Sequence, residues 1–164
     1  MTDLNGSVFP YLDYREHYSR EQPKPAVWRW TELAERIAGS HHNERGSLTL
    51  STAAGTAGGC EIIAGMAISI QVVKPRERTR PHAHAWWHLF FVQNGTGTAT
   101  FGEQQDATPL NRGDLILVPA WSAHHFENLG ADDLILMSMT NLPQQAKLSN
   151  LLAREPDDDV GGAR

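Results

Sequence analysis

At 164 residues the chain has one domain's worth of length, enough to bury a sizeable core without disulfide support. A formal net charge of -5, with Lys and Arg few and scattered except around Arg76, Arg78 and Arg80, argues against nucleic acid or an anionic membrane as the principal partner and leaves small molecules as the default. Cys60 is the one cysteine, so no disulfide forms within the chain. Residues 1–22 are too polar for a secretory leader, and a cytoplasmic setting with Cys60 as a small buried residue is expected.

Residues 1–26 mix Phe9, Tyr11, Tyr14 and Tyr18 with charges and prolines and show no sustained period. They read as an extended arm with a stiff hinge at Pro23-Lys24-Pro25. A short helix follows, with Thr31 as N-cap, Glu32 and Glu35 in its first turn, Leu33 and Ile37 as an apolar i, i+4 pair, and Gly39 as its stop. His41 and His42 lie in a polar loop and lack metal-ligand spacing.

From Leu48 the pattern is that of strands: 48–52, then 60–73 after a small-residue loop at 53–59. Met66, Ile68, Ile70 and Val72 form a greasy face, and Ala67, Ser69, Gln71 and Val73 form a mixed one suited to lining a cavity. Further strands are expected at 87–93 and 96–101, joined by an Asn94-Gly95 hairpin signal, and at 115–118 and 132–139. Many short strands with Gly, Asn and Pro turns imply an all-β antiparallel sandwich or small barrel. Leu148, Leu151 and Leu152 suggest a C-terminal helix within 143–154, and residues 155–164 are too polar to pack and read as disordered. The expected division is 1–46 as arm and short helix, 47–141 as barrel, and 142–164 as C-terminal helix and tail.

Four of the eight histidines flank the central strands: His82, His84 and His88 on one side, His124 on the other. His82 and His84, two apart on a strand, share a face and can reach one ion; imidazoles clustered in this way are common metal donors. His88 has the same parity, but six residues of straight strand span roughly 20 Å, so the chain must bend at Ala85-Trp86-Trp87 for it to join them. His125 points to the opposite face from His124.

The order His-x-His, a further position at 88, and Gly113-x5-Pro119-x4-His124-x3-Asn128 resembles the two signature motifs of the cupin superfamily. The resemblance implies an antiparallel double-stranded β-helix, or jelly roll, with a metal in its mouth. It places His82, His84, His88 and His124 at the four ligand positions, closes the first motif at Gly95, and implies the turn that His88 requires. Arg76 and Trp121 stand where the motifs have glycine, and His88 stands where they have glutamate. Val27-Trp28-Arg29-Trp30 and the stretch 114–125 are similar to the gentisate 1,2-dioxygenase type of cupin. Members of that type have three histidines, an apolar residue at the position of His88, and usually two cupin units.

Four neutral imidazoles leave a divalent ion's charge uncompensated, which favours anionic oxygen ligands. Fe(II) is the expected ion, with Mn, Ni, Zn or Cu also compatible with imidazole donors. An octahedral ion on four histidines keeps two open positions; if His88 is not bound it keeps three, enough for a bidentate substrate and dioxygen together. The reading is a metal-dependent dioxygenase for a small catechol-like, hydroxybenzoate-like or enolisable diketone-like substrate, with His88 as fourth ligand and catalytic residue. A non-redox isomerase, cyclase or decarboxylase and a non-catalytic ligand-binding module are the alternatives. Strand parity and proximity assign Gln71, Trp86, Phe90, Trp121, Phe126 and Met137 to the pocket wall. Arg80, in the alternating series Arg76, Arg78 and Arg80, is the candidate for a substrate carboxylate, with a solvated strand face as the bland reading. A homodimer is expected, in which the aromatic arm covers a partner's open strand edge.

Overall fold

The computed structural model of the protein describes residues 10–19, 24–41, 43–52, 60–102 and 106–154. Two helices, α1 (Tyr11–Ser19) and α2 (Trp30–Gly39), precede the strands β1 (Leu48–Leu50), β2 (Ala67–Val73), β3 (Ala83–His84), β4 (His88–Asn94) and β5 (Gly97–Phe101). Then come β6 (Thr108–Leu110), β7 (Leu115–Val118), β8 (His124–Glu127), β9 (Leu134–Thr140), α3 (Leu142–Lys147) and β10 (Ala153–Arg154).

All strand pairs are antiparallel. One sheet runs β1-β2-β9-β4-β7, and the other runs β6-β5-β8. Bridges from Arg78 to Glu127 and from His82 to His124 lay the 78–84 segment along β8, and β10 pairs with β3 beyond it. The result is an antiparallel double-stranded β-helix.

Period-two alternation decides what each strand offers to the interior. On β9, Leu134 and Leu136 enter the core between the sheets, whereas Ile135 and Met137 face outward under α2. On β4, Phe90 and Val92 point inward, and on β7 Ile116 and Val118 do the same. Phe126 at 1 % exposure lies at the centre of this core, and its truncation to alanine is expected to cost about 3–5 kcal/mol. The greasy face of β2 proves to be the outer one: Ile70 and Val72 pack against Leu33 and Ile37 of α2. The mixed face of β2 therefore looks into the barrel.

Several expectations are corrected. The arm is not wholly extended, because Tyr11–Ser19 is helical. In α2 the N-cap is Arg29, with no side-chain cap bond, and Thr31 lies within the first turn; Ser40 caps the other end through its N–H and Oγ on Ile37 O. The Asn94-Gly95 pair is a corner between sheets, since β4 and β5 do not pair with each other. Gly95 has φ +80, and a Cβ there would stand 2.5 Å from Asp133 O, which reserves the position for glycine. The C-terminal helix is only Leu142–Lys147. The chain turns at Ser149 (φ 54) and continues extended into β10, leaving Leu148, Leu151 and Leu152 exposed. Cys60 is exposed. Strand β2 begins at Ala67 rather than at residue 60, because a tight turn bridged from Ile63 to Met66 precedes it. Residues 20–23 of the arm and hinge, His42, the loop 53–59 and the tail 155–164 lie outside the described residues. No helix among the described residues is long and apolar enough to cross a membrane.

Candidate metal centre

The 78–84 segment and β8 run side by side, with N–H to C=O bonds exchanged in both directions between His82 and His124 (3.2 and 2.9 Å). This pairing puts the rings of His82 and His124 4.3 Å apart, and His84, on the same face as His82, completes a triangle at 5.3 and 5.2 Å. One ligand atom from each of the three lies within 4.8 Å of the others. Two nitrogens on a common ion at about 2.1 Å stand at most about 4.2 Å apart, so small ring rotations close the site.

The donor set fits a divalent metal. Nδ1 of each ring faces a backbone carbonyl two residues away: Arg80 O for His82 (3.2 Å), Trp86 O for His84 (2.7 Å) and Ser122 O for His124 (3.0 Å). An imidazole that donates Nδ1–H to a carbonyl presents the Nε2 lone pair to an ion. Burial, with His124 and Arg45 nearby, pushes the His82 pKa down to about 3; burial pushes that of His124 to about 4 against the opposing pull of Ser122 O. Both rings are neutral at pH 7, as metal ligands must be.

His88 is placed differently. The turn at 85–87 brings its ring within 4.8 Å of His84, but the Trp86 indole Nε1 donates to its Nε2 at 3.0 Å and its Nδ1 bonds Ser138 Oγ. An indole N–H can only donate, so Nε2 accepts and Nδ1 carries the proton. With both ring nitrogens engaged, His88 stands outside the three-histidine group. Burial and the neighbouring imidazoles hold its pKa down to about 2. His125 faces away and takes no part.

A cavity of about 910 Å³ opens above the triangle, lined among others by His82, His84, Trp86, His88 and Arg45. Gln71, Phe90, His124 and Ser138 line a small recess at its floor. The other wall candidates lie elsewhere. Met137 is on the outer face of β9, Phe126 is core beneath His124, and Trp121 is 45 % exposed with Arg154 5.5 Å above its ring. Arg80 turns outward to Glu44, Nε to Oε1 at 2.7 Å.

The cation beside the histidines is Arg45, which composition and spacing did not single out. It reaches the site from the loop before β1, and its Nη1 contacts Arg80 O at 3.0 Å and His82 Nδ1 at 2.6 Å. Gln71 Nε2 donates to Glu44 O, and Glu44 also binds the Arg80 side chain, so the two residues expected in the wall hold the loop that carries Arg45. A loop arginine far in sequence from the histidines leaves no periodic signal; only the fold connects them.

Residues 69–140 match the cupin domain family model. The chain is 30% identical over 131 residues to a gentisate 1,2-dioxygenase of Streptomyces sp, covering 76% of this chain and 36% of that protein. It is 24% identical over 142 residues to a 5-nitrosalicylic acid 1,2-dioxygenase of Bradyrhizobium sp, covering 81% and 67%. Among solved structures, salicylate 1,2-dioxygenase from Pseudaminobacter salicylatoxidans superposes with a TM-score of 0.75 at 24% identity, over 88% of this chain and 42% of that one. The chain thus spans about a third of the length of one curated relative and two thirds of the other. With the double-stranded β-helix and the two motifs, these likenesses show a cupin domain match over residues 69–140 in a chain that resembles the gentisate 1,2-dioxygenase type.

Proposed function

We propose that this protein is a metal-dependent dioxygenase acting on a small hydroxybenzoate-like aromatic acid. The observation that carries the reading is the convergence of three imidazoles, with the Arg45 guanidinium against His82, where the large cavity meets the recess at its floor. Bound there, a divalent ion, Fe(II) in this proposal, supplies Lewis-acid binding of anionic oxygens and a redox partner for dioxygen.

The chain's own residues bind and orient. Arg45 offers a planar donor fork to a substrate carboxylate beside the metal site. Trp86 presents an aromatic wall, and Phe90 closes the floor. His82 and His124 stay unprotonated through burial, so their lone pairs remain available near neutral pH. Because His88 is engaged by Trp86 and Ser138, the ion would be held by His82, His84 and His124 alone, and it would supply binding for substrate oxygens and dioxygen.

The same proposal includes a cytoplasmic homodimer formed along the β7 edge rather than through the arm, since β7 exposes Leu115 and Leu117 at 67% and 64% and contains no charge that would protect an edge.

The test is an oxygen-electrode assay of Fe(II)-loaded protein with salicylate, gentisate and catechol. One dioxygen consumed per ring opened is expected, with both oxygen atoms in the product. Product formed equally well under strict anaerobiosis would favour non-redox chemistry.

A further inference from the structure

From the hydrogen bonds that surround His88, we propose that this residue is a positioning residue for the metal centre: a strut that fixes Trp86 against the ligand His84 without itself binding the ion. The inference rests on the reading that His82, His84 and His124 hold a metal.

The strut starts in the sheet. Ser138 on β9 is 1% exposed and faces the barrel interior, opposite Phe90 of β4 in the strand register. Its Oγ accepts from His88 Nδ1–H, which leaves Nε2 as the acceptor for the Trp86 indole N–H at 3.0 Å. Phe90 stacks on the His88 ring at 4.9 Å and 22°, which limits its rotation. Held at its N–H, the Trp86 indole lies flat on His84, with centroids 4.2 Å apart and an interplanar angle of 6°. Trp86 also supplies the carbonyl that receives His84 Nδ1–H at 2.7 Å. One residue therefore determines both the tautomer and the ring plane of His84, and His88 determines where that residue's side chain lies.

Geometry separates a strut from a ligand. To coordinate through Nε2, His88 would have to surrender the indole bond, and through Nδ1 the Ser138 bond; either releases Trp86 or the ring itself. Groups that orient a metal-bound histidine typically affect metal affinity by about 10–100-fold when removed. Trp86→Phe keeps an aromatic face but loses the N–H, so it should reproduce the effect of His88→Leu while leaving every imidazole in place.

Pulsed EPR of the Cu(II)-loaded protein counts bound imidazoles, and competition with a chelator gives metal affinity. The expected result is three imidazoles in both wild type and His88→Leu, with affinity for Cu(II) lowered roughly tenfold in His88→Leu. Trp86→Phe should show a similar loss, and the double variant should be no worse than either single one, since both break one bond. His88→Gln, whose Oε1 reaches about as far as the imidazole Nε2, should restore much of the affinity by accepting from the indole. Four imidazoles in wild type and three in His88→Leu would overturn the inference and leave the metal reading standing. Additive losses in the double variant, or no rescue by Gln, would also overturn it. Absence of bound imidazole in wild type would defeat both.

Discussion

Nη1 of Arg45 lies 2.6 Å from Nδ1 of His82. Arginine only donates, so in this contact Nδ1 accepts and the ring proton sits on Nε2. A metal on Nε2 demands the other tautomer, with Nδ1–H turned to Arg80 O. The ion and Arg45 therefore compete for one imidazole, and filling the site would release Nη1 from His82 while Arg45 keeps its contacts to Arg80 O and Glu44. Arg45→Met is expected to bind metal at least as tightly as wild type and to bind salicylate roughly tenfold or more weakly, the scale of a lost charge-assisted hydrogen bond. Calorimetric titration of metal and then of salicylate would show it; an equal loss of both would mean that Arg45 only supports the loop.

The buried histidines make the metal-free protein acid-sensitive. Burial lowers His82, His88 and His124 to about 3, 2 and 4 from an ordinary 6.5. Since the folded values lie below the unfolded one, the unfolded chain takes up protons first as pH falls. Their contribution is fully present above about pH 6.5 and is lost progressively as pH falls through the folded values. The urea midpoint of metal-free protein should already drop between about pH 7 and pH 5, above the range where most carboxylates titrate. A midpoint unchanged across that interval would contradict the burial of neutral imidazoles.

Arg76 and Trp121 stand where cupin motifs have glycine, and both have positive φ, 68° and 63°. The left-handed region costs a residue with a side chain roughly 1–2 kcal/mol, part of which glycine recovers. Arg76→Gly is therefore expected to stabilise the fold by about 0.5–1 kcal/mol, a rise of a few degrees in Tm by calorimetry. Trp121 is a less direct test because Arg154 lies over its ring. A lower Tm for Arg76→Gly would show that its side chain has a stabilising role.

On the proposed dimer, Leu115→Lys with Leu117→Lys should yield a monomer by sedimentation at micromolar concentration, with the far-UV spectrum unchanged. A wild-type monomer under the same conditions would dispose of the β7 contact.

The two motifs and strand alternation made the barrel and the His82, His84 and His124 triangle readable, because ligand spacing and period-two patterning are local properties of the chain. Gln71 lies on the inward face of β2 and lines the recess. Other side chains take positions that long-range geometry governs. Met137 looked like pocket wall until the β2–β9 pairing put α2 over its face. His88 had the right parity, but its partner Ser138 lies fifty residues away on β9. Thr108–Leu110 was missed because Pro109 reads as a breaker, although an edge strand tolerates it.

Metal titration of wild type and single-histidine variants tests the central claim most directly. The account predicts one equivalent of Fe(II) per chain in wild type, its loss in His82→Ala, His84→Ala and His124→Ala, and its retention with reduced affinity in His88→Leu. Full occupancy in all three alanine variants, or loss of stoichiometric binding in His88→Leu alone, would contradict it.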